Sequence, residues 1–186
     1  MKALITLVAT VFIVTRGWCA EPILERVPEL QKKASLANKG TLGCGVGKIT
    51  LLTSRGEVTT SCGLDPVQVF GNPIKTSDLI SLLKSRSVSN QSGKPGPMSG
   101  QVSDLCGVCL YALSYAKDPE VIPAIADLLT DKDDVVRGWA AIALYRLGSS
   151  SDELRKKIEV IPFPAAATAS AGARGEQAPT WVTRAK

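Results

Sequence analysis

The chain has 186 residues, of which 45% are apolar and 5% aromatic, so it can form one domain with a core of Leu, Ile, Val and Ala. The net charge of +5 is small, and no basic stripe with interleaved aromatic residues is present, which argues against a nucleic-acid-binding protein. Histidine is absent, which excludes the commonest general base and the commonest metal ligand.

Residues 1–20 are typical of a secretory signal peptide. A basic start is followed by an apolar run, Ala3 to Val14, which is too short to span a bilayer. Cleavage after Cys19 or after Ala20 remains open. Residues 16–18 do not resemble a lipobox, which argues against lipidation at Cys19. The signal-like pattern predicts export to the periplasm or the exterior, with no stable membrane span once the signal is removed.

Residues 21–75 predict an N-terminal helix followed by a β-hairpin. Apolar residues at helical spacing indicate a helix over Glu21 to Asn38. The segment from Val46 to Thr53 alternates in the manner of a strand, Ser54 to Glu57 is typical of a turn, and Val58 to Cys62 of a return strand.

Residues 76–160 are expected to hold two helical hairpins with a loop inserted at residues 85–100. The first hairpin begins with a helix capped by Ser77 or Asp78. The inserted segment is polar and carries a Pro/Gly cluster at residues 94–97, so we expect a loop there. A second helix then starts at Ser103 or Asp104.

The stretch from Asp118 to Gly148 predicts the second hairpin. Apolar residues recur every three or four positions on both sides of a polar turn, Asp131 to Asp134. Placing Gly107 on Gly138 aligns the last helix of each hairpin at an offset of 31 residues. Neither hairpin can bury its apolar stripes alone, so the two are expected to stack.

This stretch resembles a HEAT repeat, especially the short bacterial kind. The matching residues are Asp118-Pro119, Ile122-Pro123-Ala124, Leu128-Leu129, Asp131, Val136-Arg137, Ala140, Ala143-Leu144 and Gly148. The resemblance implies a mainly α fold, a short HEAT-like α-solenoid carrying a small N-terminal β-hairpin. It also implies that Asp131 and Arg137 hold adjacent repeats together and that the protein binds other macromolecules. The earlier copy departs from the pattern, since Cys106 stands in the place of Arg137.

The C-terminal part is expected to contain a short charged helix and a tail. The helix, Asp152 to Val160, is predicted to cap the last repeat. Residues 161–186 are rich in Pro, Ala, Thr, Ser and Gly, and this composition predicts a disordered tail.

Cysteine chemistry offers two interpretations. Without Cys19, four cysteines remain (Cys44, Cys62, Cys106 and Cys109), and an even number in an exported chain predicts disulfides, with Cys44 to Cys62 favoured. The Cys106–Cys109 spacing also permits a redox-active dithiol, although such a site normally follows a strand. A metal site is not expected, because zinc would need all four thiolates to converge.

The function predicted from these features is that of an exported, non-catalytic protein-binding module or adaptor, with no enzyme activity and no cofactor. The expected binding surface comprises the inserted loop and the nearby turn, with Asn90, Lys94, Asp131, Asp133 and Asp134 as candidate residues. The partner is a protein that the residues do not identify. Two alternatives stay open: a toxin-neutralising or inhibitor protein of the cell envelope, and a thiol–disulfide protein that uses Cys106 and Cys109.

Overall fold

A computed structural model describes residues 22–39, 46–63, 65–92, 96, 98 and 102–175, with the backbone alone for residues 88–92. This part of the chain is mainly helical, as the sequence predicted, and it carries a small three-stranded sheet. The predicted signal peptide, residues 1–20, lies outside the described residues. Within the described residues, no helix combines the length and the apolar character that a bilayer span requires.

The elements follow one another in the order helix, sheet and helices. They are α1 Val27–Asn38, β1 Val46–Thr53, β2 Gly56–Gly63, α2 Asp65–Phe70, β3 Ile74–Lys75, α3 Thr76–Ser92, α4 Ser103–Leu113, α5 Val121–Ala126, a 3₁₀ helix Asp127–Thr130, α6 Asp134–Ser150, α7 Asp152–Ile158 and α8 Ala165–Gly172.

The sheet has the order β2-β1-β3. Strands β1 and β2 form the antiparallel hairpin expected from the sequence, and β3 pairs in parallel with β1 opposite Leu51 and Leu52. Alternation along β1 sends Ile49 and Leu51 into the core, where both are fully buried. The third strand was not predicted, because two residues are too few to show a period.

Asp118 connects the hairpin to the helices. Its Oδ2 accepts hydrogen bonds from the backbone N–H and the hydroxyl of Ser54, at 3.1 and 2.8 Å, in the turn between β1 and β2. Its Oδ1 accepts from the backbone N–H of Glu120 at 2.9 Å, just before α5 begins at Val121. Because Asp118 is buried, this carboxylate fixes the hairpin turn against the start of α5.

The helices pack around one apolar core. Helix α4 packs on α1 and α6, α6 packs on α7 and α8, and α3 packs on α5. Leucines from four elements fill the centre and are fully buried: Leu30, Leu79, Leu82, Leu83, Leu105, Leu110, Leu113 and Leu128. The periodic apolar positions of the sequence therefore face one shared interior.

The loop predicted for residues 85–100 begins later than expected. Helix α3 continues through Ser92, so the prediction was wrong for residues 85–92. Arg86 explains the wrong prediction. The sequence pattern assigns this charged residue to a polar loop, but it is only 4% exposed and lies on the inward face of α3. Beyond α3, Met98 is fully buried and anchors the connection to the core.

Arg86 and Asp131 form a buried ion pair. The Arg86 Nε donates to Oδ2 of Asp131 at 3.1 Å, and one terminal nitrogen donates to Oδ1 at 3.2 Å. The other terminal nitrogen donates to the carbonyl of Met98 at 3.3 Å, and the same Asp131 Oδ1 accepts from the backbone N–H of Asp133 at 2.8 Å. Burial by itself would lower the pKa of Arg86, but the hydrogen bonds and charge of Asp131 outweigh it and raise that pKa.

The predicted disordered tail is ordered over its first part, which corrects the expectation for residues 161–175. Phe163 stacks on Tyr145 with ring centroids 5.1 Å apart, and helix α8 buries Ala167 and Ala171 against α6. Small residues allow this close packing, since a Cβ added at Gly138 would lie 2.9 Å from the carbonyl oxygen of Ser170. Residues 176–186 lie outside the described residues.

We predict that Asp131→Ala lowers the free energy of unfolding by about 3–5 kcal/mol, because it leaves the buried guanidinium of Arg86 without its carboxylate. The double variant Arg86→Met, Asp131→Leu removes both charges and should be more stable than the single variant. Urea denaturation measures the free energy of unfolding of both variants.

As a control, Glu153→Ala removes a half-exposed ion pair with Arg55 and should leave the denaturation midpoint close to that of the wild type. A wild-type midpoint for Asp131→Ala would contradict the prediction.

We also predict that Gly138→Ala loosens α8. The added Cβ would lie 2.8 Å from Nε of Arg174 and 2.9 Å from the Ser170 carbonyl, so the backbone of α8 must move. Faster amide hydrogen exchange over residues 165–172 is the expected result. Gly172→Ala is the matched control, because its Cβ would meet nothing within 4 Å. Equal exchange in the two variants would show that α8 does not depend on this contact.

Candidate functional site

A cleft with a volume of about 360 Å³ opens between α1, the start of α2, α4, α6 and the segment that follows α8. This volume falls at the lower end of the range found for ligand pockets. We refer to it as the α4–α6 cleft. It is lined by Ala37, Asn38, Asp65, Ser103, Asp104, Gly107, Val108, Tyr111, Val135, Trp139 and Arg174.

Two aromatic rings form the wall of the α4–α6 cleft. Tyr111 and Trp139 meet edge to face, with centroids 6.4 Å apart, and both rings are half-buried. Tyr111 in turn contacts Tyr115 edge to face at 5.4 Å, and the guanidinium of Arg146 lies 5.4 Å from the centroid of the Tyr111 ring. The rings therefore support one another and hold a fixed apolar surface at the cleft.

Two hydrogen bonds to the Tyr111 hydroxyl set the orientation of the tyrosines. The Tyr111 hydroxyl accepts from the Tyr115 hydroxyl at 3.1 Å and from the backbone N–H of Gly63 at 3.3 Å. Burial, followed by the hydrogen bond with Tyr111, raises the pKa of Tyr115 to about 12. Tyr115 thus stays protonated as a donor throughout the physiological range, and Tyr111 joins the end of β2 to α4.

Trp139 lies between two residues that fit closely around its ring. A Cβ added at Gly107 would lie 3.0 Å from Nε1 of Trp139, so the indole would have to shift by a few tenths of an ångström if residue 107 had a side chain. The guanidinium of Arg174 lies 5.8 Å from the centre of the Trp139 ring and is exposed. The ring of Trp139 thus already carries a cation from its own chain.

Asp104 and Asp65 supply negative charge to the α4–α6 cleft. Asp104, in the first turn of α4, accepts from the Ser35 hydroxyl at 2.8 Å and from the Asn38 amide at 2.9 Å, both of which belong to α1. Asp65 stands in the first turn of α2 and is half-buried. The ion pairs found in the described part of the chain do not include Asp65, Asp104 or Arg174.

A second depression, of about 750 Å³, lies between the sheet, α3 and the start of α5. Lys75, Lys84 and Glu120 stand at its edge, and no aromatic side chain lines it. We therefore regard the α4–α6 cleft as the stronger candidate site, since fixed aromatic surface with a few polar groups is what binding sites commonly offer.

The residues predicted for protein binding have different positions. The Asp131 side chain is 0% exposed and engaged by Arg86, so its carboxylate serves the fold and does not face a partner. Asp133 is half-buried and caps α6 by accepting from the backbone N–H of Val135 at 2.8 Å. Asp134 is exposed, one residue before Val135 in the cleft wall. Lys94 and the side chain of Asn90 lie outside the described part.

Asp131 and Arg137 are the residues that the HEAT resemblance implies hold adjacent repeats together, and their contacts are as follows. Arg137 donates to the backbone carbonyls of Asp131 and Lys132, at 2.9 and 3.0 Å, and does not bind the Asp131 carboxylate. Arg86 from α3 binds that carboxylate instead. Helix α3 therefore contacts the turn before α6 through Arg86, which was not among the residues predicted for this role.

The disulfides expected from the number of cysteines are not formed by the described thiols. Cys62, Cys106 and Cys109 are free and buried, and Cys44 lies outside the described residues. Burial raises the pKa of Cys106 to about 12 and that of Cys109 well above its ordinary value. Burial, with the charge of Asp65, also raises the pKa of Cys62. High pKa values and burial weigh against a redox-active role for Cys106 and Cys109.

The described residues contain no group of three or more Cys, Asp or Glu side chains placed to hold a metal ion. The polar groups of the α4–α6 cleft instead form an arrangement suited to binding: two carboxylates and a guanidinium beside two aromatic rings.

The α4–α6 cleft was not predicted from the sequence. Its walls combine residues as far apart as Asn38 and Arg174, and periodicity within one helix does not show such neighbours. One signal was available: Tyr111, Tyr115 and Trp139 make up a third of the few aromatic residues. Tyr111 and Tyr115 are also four positions apart, which places them on one helical face.

Compared with known proteins, the chain matches no family model, no curated protein and no solved structure. The HEAT resemblance therefore stays a prediction that depends on the matching residues between Asp118 and Gly148.

We predict that Cys106 and Cys109 resist alkylation in the folded protein. With a pKa of about 12, only about one in a hundred Cys106 thiols is ionised at pH 10, where an ordinary cysteine is almost fully ionised. Iodoacetamide labelling, mapped by mass spectrometry, should leave both unmodified at pH 8 and pH 10 and should modify both in 6 M guanidinium. Rapid labelling of Cys106 in the native protein at pH 8 would instead support the thiol–disulfide interpretation.

Proposed function

We propose that this chain is an exported, non-catalytic protein-binding module whose partner docks at the α4–α6 cleft. The observation that carries the proposal is the half-buried pair of Tyr111 and Trp139, held in one geometry by their neighbours. Rigid aromatic side chains that are accessible from solvent are the usual anchors of protein interfaces. The expected location, the periplasm or the exterior, depends on the signal-like pattern of residues 1–20.

The arrangement of the helices supports this proposal. Helices α1, α4, α6 and α8 contact one another in succession, and α3 and α5 pack together next to α4 and α6. Contacts between successive helices are what a short HEAT-like stack would have. Helices packed on one another hold the cleft residues in place, so little ordering free energy is lost on binding.

The position of the predicted turn also supports the cleft as the docking site. The turn Asp131–Asp134 leads directly into Val135, which lines the α4–α6 cleft. Exposed Asp134 therefore lies near the edge of the cleft, where it is accessible to a partner. The surface favoured from the sequence and the cleft thus meet at the start of α6.

We predict that Val108→Glu abolishes binding. Val108 is half-buried and lines the cleft, so a carboxylate there would place charge against the aromatic surface that a partner must cover. Tagged protein starting at Glu21 is incubated with envelope extract, and retained proteins are identified by mass spectrometry. Far-UV circular dichroism melts confirm that each variant is folded.

The matched control is Val160→Glu, which introduces the same charge at a position that is 80% exposed and outside the cleft. We expect one partner to be retained by the wild type and by Val160→Glu, and to be lost with folded Val108→Glu. Equal retention by both variants would exclude the cleft as the docking site. Retention of no partner by the wild type would contradict the binding function in this extract.

A further inference from the structure

We infer that the α4–α6 cleft recognises a basic side chain, an arginine or a lysine, of the partner protein, and that Arg174 occupies part of this site in the free protein. This inference depends on the proposed binding function and specifies the chemistry of its partner.

The first argument is charge. Asp65 and Asp104 line the cleft, and Arg174 is the one cation among the described residues that line it. The cleft therefore holds more negative than positive charge, although the chain as a whole is basic. A single cation from a partner would balance the second carboxylate.

The second argument is the aromatic wall. A guanidinium beside the face of an indole is stabilised by the negative charge of the ring face. Arg174 already demonstrates this contact, at 5.8 Å from the centre of Trp139. The Trp139 ring can accept the cation of a partner in the place of Arg174, whereas the Tyr111 ring already carries the guanidinium of Arg146 at 5.4 Å.

The third argument is that Arg174 is displaceable. It lies two residues beyond the end of α8, its side chain is exposed, and the ion pairs of the described part do not include it. Among the described residues it is held by packing of its Nε beside Gly138 and by the contact with Trp139, and neither of these is an ion pair. A partner's basic side chain can replace that contact without unfolding α8, whose own packing depends on Ala167 and Ala171.

Nuclear magnetic resonance titration tests the inference with four small probes: the N-acetyl amides of arginine, lysine, glutamine and glutamate. The observed signal is the indole N–H of Trp139, assigned by its loss in Trp139→Phe. We expect the arginine and lysine probes to shift this signal in a saturable manner, and the glutamine and glutamate probes to leave it unchanged. Shifts of equal size with arginine and glutamine would overturn the inference.

Two variants sharpen the test. Asp65→Asn removes one carboxylate charge at nearly constant volume and should weaken the binding of the arginine probe. Arg174→Ala should increase the affinity for this probe about two- to fivefold, which corresponds to the free energy of an exposed cation–π contact. An affinity that is unchanged in both variants would overturn the inference. Asp65→Asn needs to show a wild-type thermal melt, and Asp104→Asn serves as the second carboxylate variant.

Failure of this inference and failure of the proposed function give different results. If the capture experiment identifies a partner that depends on Val108 but the arginine probe does not shift Trp139, the cleft binds a protein by other chemistry and the inference is wrong. If the arginine probe saturates the site and no protein is captured, the basic-group site stands and the binding-module function is contradicted.

Discussion

The buried pair of Arg86 and Asp131 is the constraint on which the helical part of the structure depends. Arg86 is contributed by α3, and Asp131 by the turn that begins α6. The same guanidinium holds the carbonyl of Met98, and the same carboxylate holds the backbone N–H of Asp133. One ion pair therefore sets the position of α3, of the connection to α4 and of the start of α6. Because α6 carries Trp139, the geometry of the cleft follows from this pair.

The sequence predicts those parts of the fold that repeat within one helix. Leu128, Val136, Ala140 and Leu144 were placed on apolar faces, and all four are buried, because burial on a helix follows a period of 3.6. The same reasoning gave a wrong prediction at Arg86. A polarity pattern treats a charged residue as exposed unless its partner is known. Helix α8 was missed for a related reason. Alanine and serine give almost no apolar pattern, and the segment packs through Ser170 against Gly138 and through Phe163, just before α8, against Tyr145.

The candidate site was the least predictable part, and the reason is geometric. The α4–α6 cleft collects residues from four helices, and only the fold determines that Asp65 faces the same space as Trp139. Two positions show how the fold makes that space. Gly107 and Gly138, which the sequence alignment places in register, each leave room for a neighbour: Trp139 at the first glycine, and the backbone of Ser170 at the second. The two glycines therefore have different surroundings, an open cleft beside α4 and a closed contact between α6 and α8.

The closed contact has a consequence for association between molecules. A stack of helical hairpins ends in a helix whose outer face resembles the faces buried within the stack, and such a face invites a second copy. Here α8 covers that face of α6, with the Ser170 carbonyl against Gly138 and Phe163 against Tyr145. Residues 163–172 therefore keep this face of α6 out of contact with a second copy of the chain.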